Sequence, residues 1–282
     1  MNISTLPKDA LFLLALELDV PDLLNLCSSI SKIDELICQK KDIWLRKLQP
    51  FYSSTREILA DFDSLSGTHK LSLPNSTNKD ILRDTKGIYS LLYSLNVVKQ
   101  FYLKINHVDK DRSLIEIYNF EGLNLADYKI EVIPKELGDL INLRYLYLNS
   151  NKIKELPSSF SNLINLKQLY LYKNQITEIP KEIFNIANLQ VLSLSDNQIK
   201  EIPKELGDLI NLQVLFLRSN QIKELPEELG ALKDLRELYL DNNQITTIPK
   251  GLIKLNKLHS ISLAKNPIDI NNLPEEIKNK LV

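Results

Sequence analysis

A repeat of 23 residues constrains the fold of this chain more than any other feature of its sequence. A unit this short cannot bury its own apolar side chains, so it is stable only when it stacks on its neighbours. The sequence therefore predicts a solenoid in which every unit adds one turn to a shared core. The leucine that opens each unit returns at this spacing, at Leu143, Leu166, Leu189, Leu212, Leu235 and Leu258.

Each unit follows the order L-x-x-L-x-L-x-x-N-x-I, and most units close with Leu-Pro or Ile-Pro. Alternation within L-x-L predicts a short strand whose leucines point into the core and whose intervening residue points outward. One strand per unit gives a parallel sheet on the concave side, while the proline suits an extended convex segment. The asparagine follows the strand, where the chain turns away, at Asn151, Asn174, Asn197, Asn220, Asn243 and Asn266.

The two ends of the repeat array depart from the pattern. An earlier unit begins at Phe120 and carries Tyr128 in place of the asparagine, as expected for an atypical first unit. It raises the predicted number of units to seven, the last of them incomplete. The segment from Asn272 to Ile277 then breaks the frame, and it predicts a short C-terminal cap helix.

Over residues 120–270 these motifs resemble the leucine-rich-repeat family, in its short class of 23-residue units. The resemblance implies an α/β solenoid, the leucine-rich-repeat horseshoe, with a parallel sheet on the concave side. In that family, stacked asparagines hydrogen-bond the backbone of adjacent turns, which implies a structural ladder formed by the six repeated asparagines. It also implies an open concave face, the usual binding surface of a solenoid.

Outward strand positions predict which side chains line the concave face. Four tyrosines on adjacent strands form one predicted cluster: Tyr145, Tyr147, Tyr170 and Tyr172. Phe216, Arg218 and Tyr239 form a second group. Ser193 lies between the two, and its small side chain predicts a shallow notch. Exposed Tyr, Phe and Arg are enriched in binding hot spots, which favours a contact surface for a protein. The alternative is that aromatic residues simply favour strands. The predicted partner-binding residues are Tyr145, Tyr147, Tyr170, Tyr172, Ser193, Phe216, Arg218, Tyr239 and Asp241.

Residues 6–48 follow a helical pattern instead, with an L-P opening, a leucine-rich first helix, a V-P-D-L-L turn and a W-x-x-x-L close. This segment resembles an F-box, a small all-α domain that docks on the Skp adaptor of a cullin ubiquitin ligase. The alternative is a helical cap that only closes the solenoid. By resemblance, the adaptor-binding residues are Leu6, Pro7, Leu11, Leu14, Pro21, Leu23, Leu24 and Trp44.

The chain is therefore expected to hold three parts: an F-box-like domain at 1–50, a connector and N-terminal cap at 51–112, and the repeats at 113–282. Residues 80–103 carry one apolar helical stripe within the connector. The alternating run at 112–118 predicts an edge strand beside the first repeat. The F-box-like segment, the short repeats and the Lys/Asn/Ile-rich composition together resemble proteins of large DNA viruses of amoebae.

Composition argues against several other functions. The net charge of −1 is unlike that of a protein that binds nucleic acid through its phosphates. The apolar run at 10–20 is interrupted by Glu17 and Asp19 and is too short to cross a membrane. Cys27 and Cys38 make no disulfide scaffold. We therefore expect a cytoplasmic protein, in the host cytoplasm if it is viral, that binds neither membranes nor nucleic acid.

The sequence offers no catalytic constellation. Its three histidines, His69, His107 and His259, are scattered, and neither metal-ligand spacing nor a phosphate-binding glycine loop is present. We expect no enzymatic activity, no cofactor and no metal. The leading hypothesis is a ligase substrate receptor that binds the adaptor through its N-terminal segment and a substrate protein through its concave face. The second is a stand-alone scaffold or decoy.

Overall fold

A computed structural model of the chain describes residues 96–101, 117 and 119–282. The chain divides into two compact regions, an N-terminal region of residues 1–118 and a C-terminal region of residues 119–282. In the N-terminal region, residues 96–101 are helical, as the apolar stripe at 80–103 predicts. Ile117 is also helical, so the edge strand predicted at 112–118 is wrong at that residue. Leu114 and Ile117 stand three apart, a spacing that fits a helix face as well as a strand.

The C-terminal region is built on a parallel sheet of seven strands in sequential order. Corresponding residues of successive repeats lie side by side, as in the pairing of Leu146 with Leu169 and of Leu169 with Leu192. The sheet confirms one strand per repeat. The strands are β1 (Gly122–Asn124), β2 (Tyr145–Tyr147), β3 (Gln168–Tyr170), β4 (Val191–Ser193), β5 (Val214–Phe216), β6 (Glu237–Tyr239) and β7 (Ser260–Ser262).

Short helices return the chain between strands. A proline caps the start of each return helix; Pro203, for example, has φ −70° and ψ 148°, the extended conformation its ring allows. The return segments are too short for long helices, as the 23-residue repeat predicts. Five are 3-10 helices, at Lys135–Asp139, Ser158–Asn162, Lys181–Asn185, Lys204–Asp208 and Glu227–Ala231, and the sixth is the α-helix α1 (Lys250–Ile253).

The apolar positions of the repeat form one continuous core between the strands and the return helices. In the fourth unit, Leu189, Leu192, Leu194 and Ile199 are each 0% exposed. The same positions of neighbouring units are equally buried, so the core runs the length of the repeats. Each fully buried leucine or isoleucine contributes about 1.5–3 kcal/mol before conformational entropy is subtracted.

The repeated asparagines tie each turn to the one before it. The Asn197 amide donates to the carbonyls of Leu194 in its own turn and of Leu171 in the preceding turn, both at 3.0 Å. Its Oδ1 accepts from the N–H of Ile176, also in the preceding turn, at 3.0 Å. These bonds satisfy backbone groups that would otherwise be buried without a partner. The bonds to the preceding turn recur in every unit from Asn151 to Asn266.

The first unit shows why Tyr128 is tolerated at the asparagine position. The Oδ1 atom of Asn151 accepts from the N–H groups of Tyr128 and Ile130, at 3.1 and 2.9 Å. The amide that satisfies the first turn therefore comes from the second unit. Among the described residues no strand precedes β1, so the position of Tyr128 has no earlier described repeat turn to hold.

The residue before each asparagine adopts a left-handed backbone. Lys173, Asp196 and Ser219 have φ of 55°, 54° and 54°, although none of them is glycine. This conformation costs an L-residue roughly 1–2 kcal/mol. The turn is nevertheless held by hydrogen bonds to the following repeat, such as the one from the N–H of Lys173 to the carbonyl of Ser195 at 2.9 Å.

The C-terminus covers the last strand, as the break in the repeat predicts. A 3-10 turn at Ile270–Asn272 leads to the α-helix α2 (Glu275–Lys278), whose Ile277 is fully buried. The chain then returns along β7, where the N–H of Ile261 donates to the carbonyl of Lys280 at 2.8 Å. The edge of the sheet is thereby paired rather than left open.

We predict that Asn197→Ala destabilises the repeats by about 3–5 kcal/mol, because the Ile176 N–H and the Leu171 and Leu194 carbonyls each lose a buried partner. The midpoint of guanidinium unfolding measures the change. The matched control is Asn188→Ala, since Asn188 makes one exposed bond to the Ile164 carbonyl on the convex side. The control is expected to cost about 1 kcal/mol or less. Equal losses for the two variants would contradict the structural role of Asn197.

Candidate functional site

The concave face of the sheet presents its side chains in columns along the strands. The middle residue of each strand is buried, whereas the first and third residues point away from the core. From β2 to β6 the third residues are Tyr147, Tyr170, Ser193, Phe216 and Tyr239. Since the strands pair in register, these five residues form one row across the sheet.

Two tyrosines of the row form a first ring stack. The rings of Tyr147 and Tyr170 are parallel to within 4°, with their centroids 4.9 Å apart. The Tyr170 hydroxyl donates to the Oε1 atom of Gln168 at 3.0 Å, which tilts the ring toward the start of its strand. Burial, and then the neighbouring Tyr147 and Tyr172, raise the pKa of Tyr170 above its ordinary value. The phenol therefore loses its proton at a higher pH than an ordinary tyrosine and remains a hydrogen-bond donor in neutral solution.

A second ring stack lies two strands further on. The rings of Phe216 and Tyr239 are parallel to within 3°, with centroids 4.8 Å apart. The Tyr239 hydroxyl donates to the carboxylate of Glu237 at 2.7 Å, and this bond is the main cause that raises the pKa of Tyr239. Arg218 lies over the Tyr239 ring, with its Cζ atom 4.3 Å from the centroid, in a cation–π contact.

Asp241 holds the Arg218 side chain in place. The Arg218 Nε atom lies 2.6 Å from Asp241 Oδ2. The other carboxylate oxygen accepts from the hydroxyl of Ser262 and, at 3.1 Å, from the N–H of Ala264. Asp241 is 18% exposed and Arg218 45% exposed, so the carboxylate is the inner member of the pair. A partner would therefore contact the guanidinium before the carboxylate.

Two serines lie between the ring stacks, where the sequence predicts a notch. Ser193 pairs in register with Tyr170 on one side and with Phe216 on the other. Its side chain is 5% exposed, so it forms a floor between the stacks. Ser195 is 9% exposed, and its hydroxyl accepts from the N–H of Arg218 at 3.2 Å.

The remaining predicted residues fall into two groups. Tyr145 and Tyr172 are half-buried on the concave face, two residues to either side of the first stack along their strands. By contrast, the adaptor-binding residues predicted from the F-box resemblance lie outside the described residues. These are Leu6, Pro7, Leu11, Leu14, Pro21, Leu23, Leu24 and Trp44.

A basic rim along the start of the strands was not predicted. Arg144, Lys167 and Arg236 occupy the position just before β2, β3 and β6, and Arg144 pairs with Glu121 at 3.5 Å. An open polar groove of about 530 Å³ runs beside Arg144 and Lys167, with Asn142, Asn165 and Asn188 on its convex side. The signal was available in the sequence, because the rim position keeps the 23-residue spacing, but it precedes the alternating strand pattern.

Two features that would indicate other functions are absent from the described residues. No helix in this part of the chain is both long and apolar enough to cross a membrane. Over the same residues, no three His, Cys, Asp or Glu side chains come together as a metal site would require.

A family profile described as "Leucine-rich repeat region" matches residues 104–196 and 181–279. The chain belongs to the leucine-rich-repeat family. Leucine-rich-repeat proteins generally act through protein–protein interaction, and their fold is typically a scaffold without enzymatic activity. No match is found among the curated proteins.

Solved leucine-rich-repeat structures resemble the chain over its repeats. A leucine-rich-repeat protein of Leptospira interrogans is 33% identical over 60% of this chain and 48% of its own, with a TM-score of 0.48. The plant peptide hormone receptor RGFR1, solved in complex with RGF2, is 30% identical over 58% of this chain and 28% of its own, with a TM-score of 0.50. The leucine-rich-repeat ectodomain of the Arabidopsis thaliana receptor kinase GASSHO1/SCHENGEN3 is 35% identical over 53% of this chain and 19% of its own, with a TM-score of 0.47. The chain thus spans between a fifth and a half of the length of these proteins.

Proposed function

We propose that this leucine-rich-repeat protein binds a partner protein on its concave face. The observation that carries the proposal is the pair of ring stacks, Tyr147 with Tyr170 and Phe216 with Tyr239, on a sheet face that none of residues 119–282 covers. Stacked rings lose little conformational entropy when a partner covers them, because they are already ordered. Rigid aromatic side chains next to a held arginine are the usual composition of a binding hot spot.

The aromatic residues contribute little to the core that holds the repeats together. The buried leucines of each strand point the other way, and the asparagine bonds lie at the strand ends. Each tyrosine of the two stacks is half-buried and stacks on its ring neighbour. The alternative is that these rings are present only because aromatic residues favour strands. In that case the rings must stabilise the sheet. The two interpretations therefore differ in what truncation of the rings does to stability.

A structural relative supports recognition of a peptide ligand. The plant peptide hormone receptor with a TM-score of 0.50 to this chain is solved in complex with RGF2. By analogy, we propose that the repeats of this chain bind a peptide segment of the partner across several strands.

We further propose that residues 1–50 bind a Skp-type adaptor, which makes the whole chain the substrate receptor of a cullin ubiquitin ligase. The support is the sequence motif that runs from Leu6-Pro7 through Pro21 to Trp44. In this role the repeats supply proximity, and the transfer chemistry belongs to the ligase. The role places the protein in the cytoplasm, of an infected host if the resemblance to amoebal virus proteins holds. The competing proposal is a scaffold or decoy whose N-terminal helices only cap the repeats.

We predict that Tyr147→Ala combined with Tyr170→Ala abolishes capture of the partner and leaves the melting temperature nearly unchanged. Affinity capture from a cell lysate, with mass spectrometry of the retained proteins, measures the first effect, and thermal unfolding measures the second. Phe184→Ala is the matched control, because it truncates a half-buried aromatic residue on the convex side. The expected result is a protein retained by the wild type and by the control and lost from the double variant.

Two results would contradict the proposal. If the double variant melts far below the wild type, the tyrosines are structural and the concave face loses its main support. If every captured protein is also retained by the double variant, the partner does not bind the first ring stack.

We predict for the N-terminal segment that the wild-type chain binds a purified Skp-type adaptor and that Leu11→Asp combined with Leu14→Asp prevents binding. The introduced carboxylates would have to be desolvated in an apolar interface, at a cost of several kcal/mol. A pull-down with the full chain measures the effect. The Tyr147→Ala/Tyr170→Ala chain is the control and should bind the adaptor like the wild type. Absence of binding by the wild type would favour the scaffold interpretation.

A further inference from the structure

The row of third-position residues is an aromatic ladder that lacks its central ring. In the five strands from β2 to β6, rings stand at Tyr147, Tyr170, Phe216 and Tyr239, and only Ser193 in the middle has none. The four rings form the two ring stacks, one on each side of the serine. Because the five positions are equivalent in the repeat, the gap is a single vacant ring position. We call the space above Val191 and Ser193, between Tyr170 and Phe216, the aromatic slot.

The width of the aromatic slot fits one planar group. Neighbouring strands lie about 4.8 Å apart, so the rings on β3 and β5 are separated by roughly 9.6 Å. A ring placed midway would lie about 4.8 Å from each wall, within the range that stacked aromatic pairs prefer. The two existing stacks have centroid separations of 4.9 and 4.8 Å, so an inserted ring would continue the same ladder.

The walls of the slot are ordered before any partner arrives. The Tyr170 ring is held from behind by Tyr147 and at its hydroxyl by Gln168. The Phe216 ring is held from behind by Tyr239, and Arg218 in turn contacts the Tyr239 ring. The floor consists of Ser193, which is 5% exposed, and of the half-exposed apolar side chain of Val191. The slot is thus apolar, narrow and rigid, which favours insertion of a flat apolar group.

The charges beside the slot favour acidic residues next to that group. Lys167 and Arg236 lie at the start of β3 and β6, on either side of the slot and on the side toward which the tyrosine rings tilt. Within the described part of the chain, Arg144 pairs with Glu121, whereas neither Lys167 nor Arg236 has a carboxylate at ion-pair distance. The nearby Glu237 keeps its negative charge while it accepts from the Tyr239 hydroxyl. Lys167 and Arg236 together outnumber this carboxylate, so the rim carries net positive charge, which is complementary to carboxylates.

We propose that the aromatic slot takes one aromatic side chain from a partner segment that carries acidic residues beside it. The inserted ring stacks between Tyr170 and Phe216, and the flanking carboxylates approach Lys167 and Arg236. This proposal rests on the proposed function, since it names the chemistry of the partner held by the concave face. It predicts dependence of binding on the aromatic ring, on the acidic flank and on salt.

Three capped tripeptides test this chemistry on the full chain: Asp-Trp-Asp, Asp-Leu-Asp and Lys-Trp-Lys. Binding is measured by ligand-observed NMR, in which a tryptophan ring between two aromatic walls shifts upfield. We expect Asp-Trp-Asp to bind at least tenfold more tightly than either of the other two, and to lose affinity as the salt concentration rises. Absence of binding by Asp-Trp-Asp, or equal binding of Asp-Leu-Asp, would overturn the proposal.

Ser193→Phe fills the slot with the chain's own ring, at a position where Phe216 beside Val214 shows that phenylalanine fits. We expect it to keep the fold and reduce the affinity for Asp-Trp-Asp at least tenfold. Asn124→Phe is the matched control, because it adds a ring at the same repeat position on β1, outside the slot. The control should bind like the wild type. If Ser193→Phe fails to fold, Phe216→Leu removes one wall instead, and the same loss of affinity is expected.

The outcomes separate this proposal from the broader one. A captured protein that is lost from Tyr147→Ala/Tyr170→Ala but retained by Ser193→Phe would leave the concave face as a binding site and overturn the slot. Unchanged affinity of Asp-Trp-Asp for both Ser193→Phe and Phe216→Leu would also overturn it. If analytical ultracentrifugation finds a wild-type dimer that Ser193→Phe dissociates, the occupant is a second copy of the chain, and the acidic partner is wrong.

Discussion

The hydrogen bonds of the buried asparagines are the constraint on which the rest of the structure depends. Each asparagine joins the strand end of its own turn to a carbonyl and an N–H of the preceding turn, as Asn197 does with Leu171 and Ile176. These groups are buried, so the bonds are costly to break and fix the step from one repeat to the next. The leucine core alone would hold the repeats together, because apolar contacts are not directional. The asparagines set their register.

That register explains the concave face. Strands held at one spacing place equivalent side chains in a row, and the spacing of parallel strands is also a favourable distance between stacked rings. Tyr147 stacks on Tyr170, and Phe216 on Tyr239, for this reason. The same spacing turns a single small residue, Ser193, into a gap between two ordered walls. The residue at the third strand position of each repeat therefore decides what the concave face can bind, while the scaffold of strands and asparagines stays the same.

Sequence alone predicted the repeat frame, the parallel strands and the outward row that contains Tyr147, Ser193 and Tyr239. It succeeded because a 23-residue period fixes both burial and register. It predicted an extended convex segment after each proline, where the structure has a short helix. It did not predict the left-handed residues, since Lys173 and Asp196 carry no glycine signal. Their N–H groups are held by the hydrogen bonds that they donate to carbonyls of the next turn. The edge strand at Ile117 was wrong because a short apolar alternation also fits a helix. The basic rim was missed because Lys167 and Arg236 precede the alternating strand residues. The F-box-like residues, among them Leu11 and Trp44, stay predictions, as they lie outside the described residues.

A crystal structure of the Ser193→Phe chain tests the central claim most directly, because it measures whether the fixed strand spacing leaves one vacant ring position. The account predicts that the introduced ring lies parallel to Tyr170 and Phe216, about 4.8 Å from each, and completes a ladder of five rings without moving the strands. A ring that turns away into solvent, or strands that separate to admit it, would contradict the account.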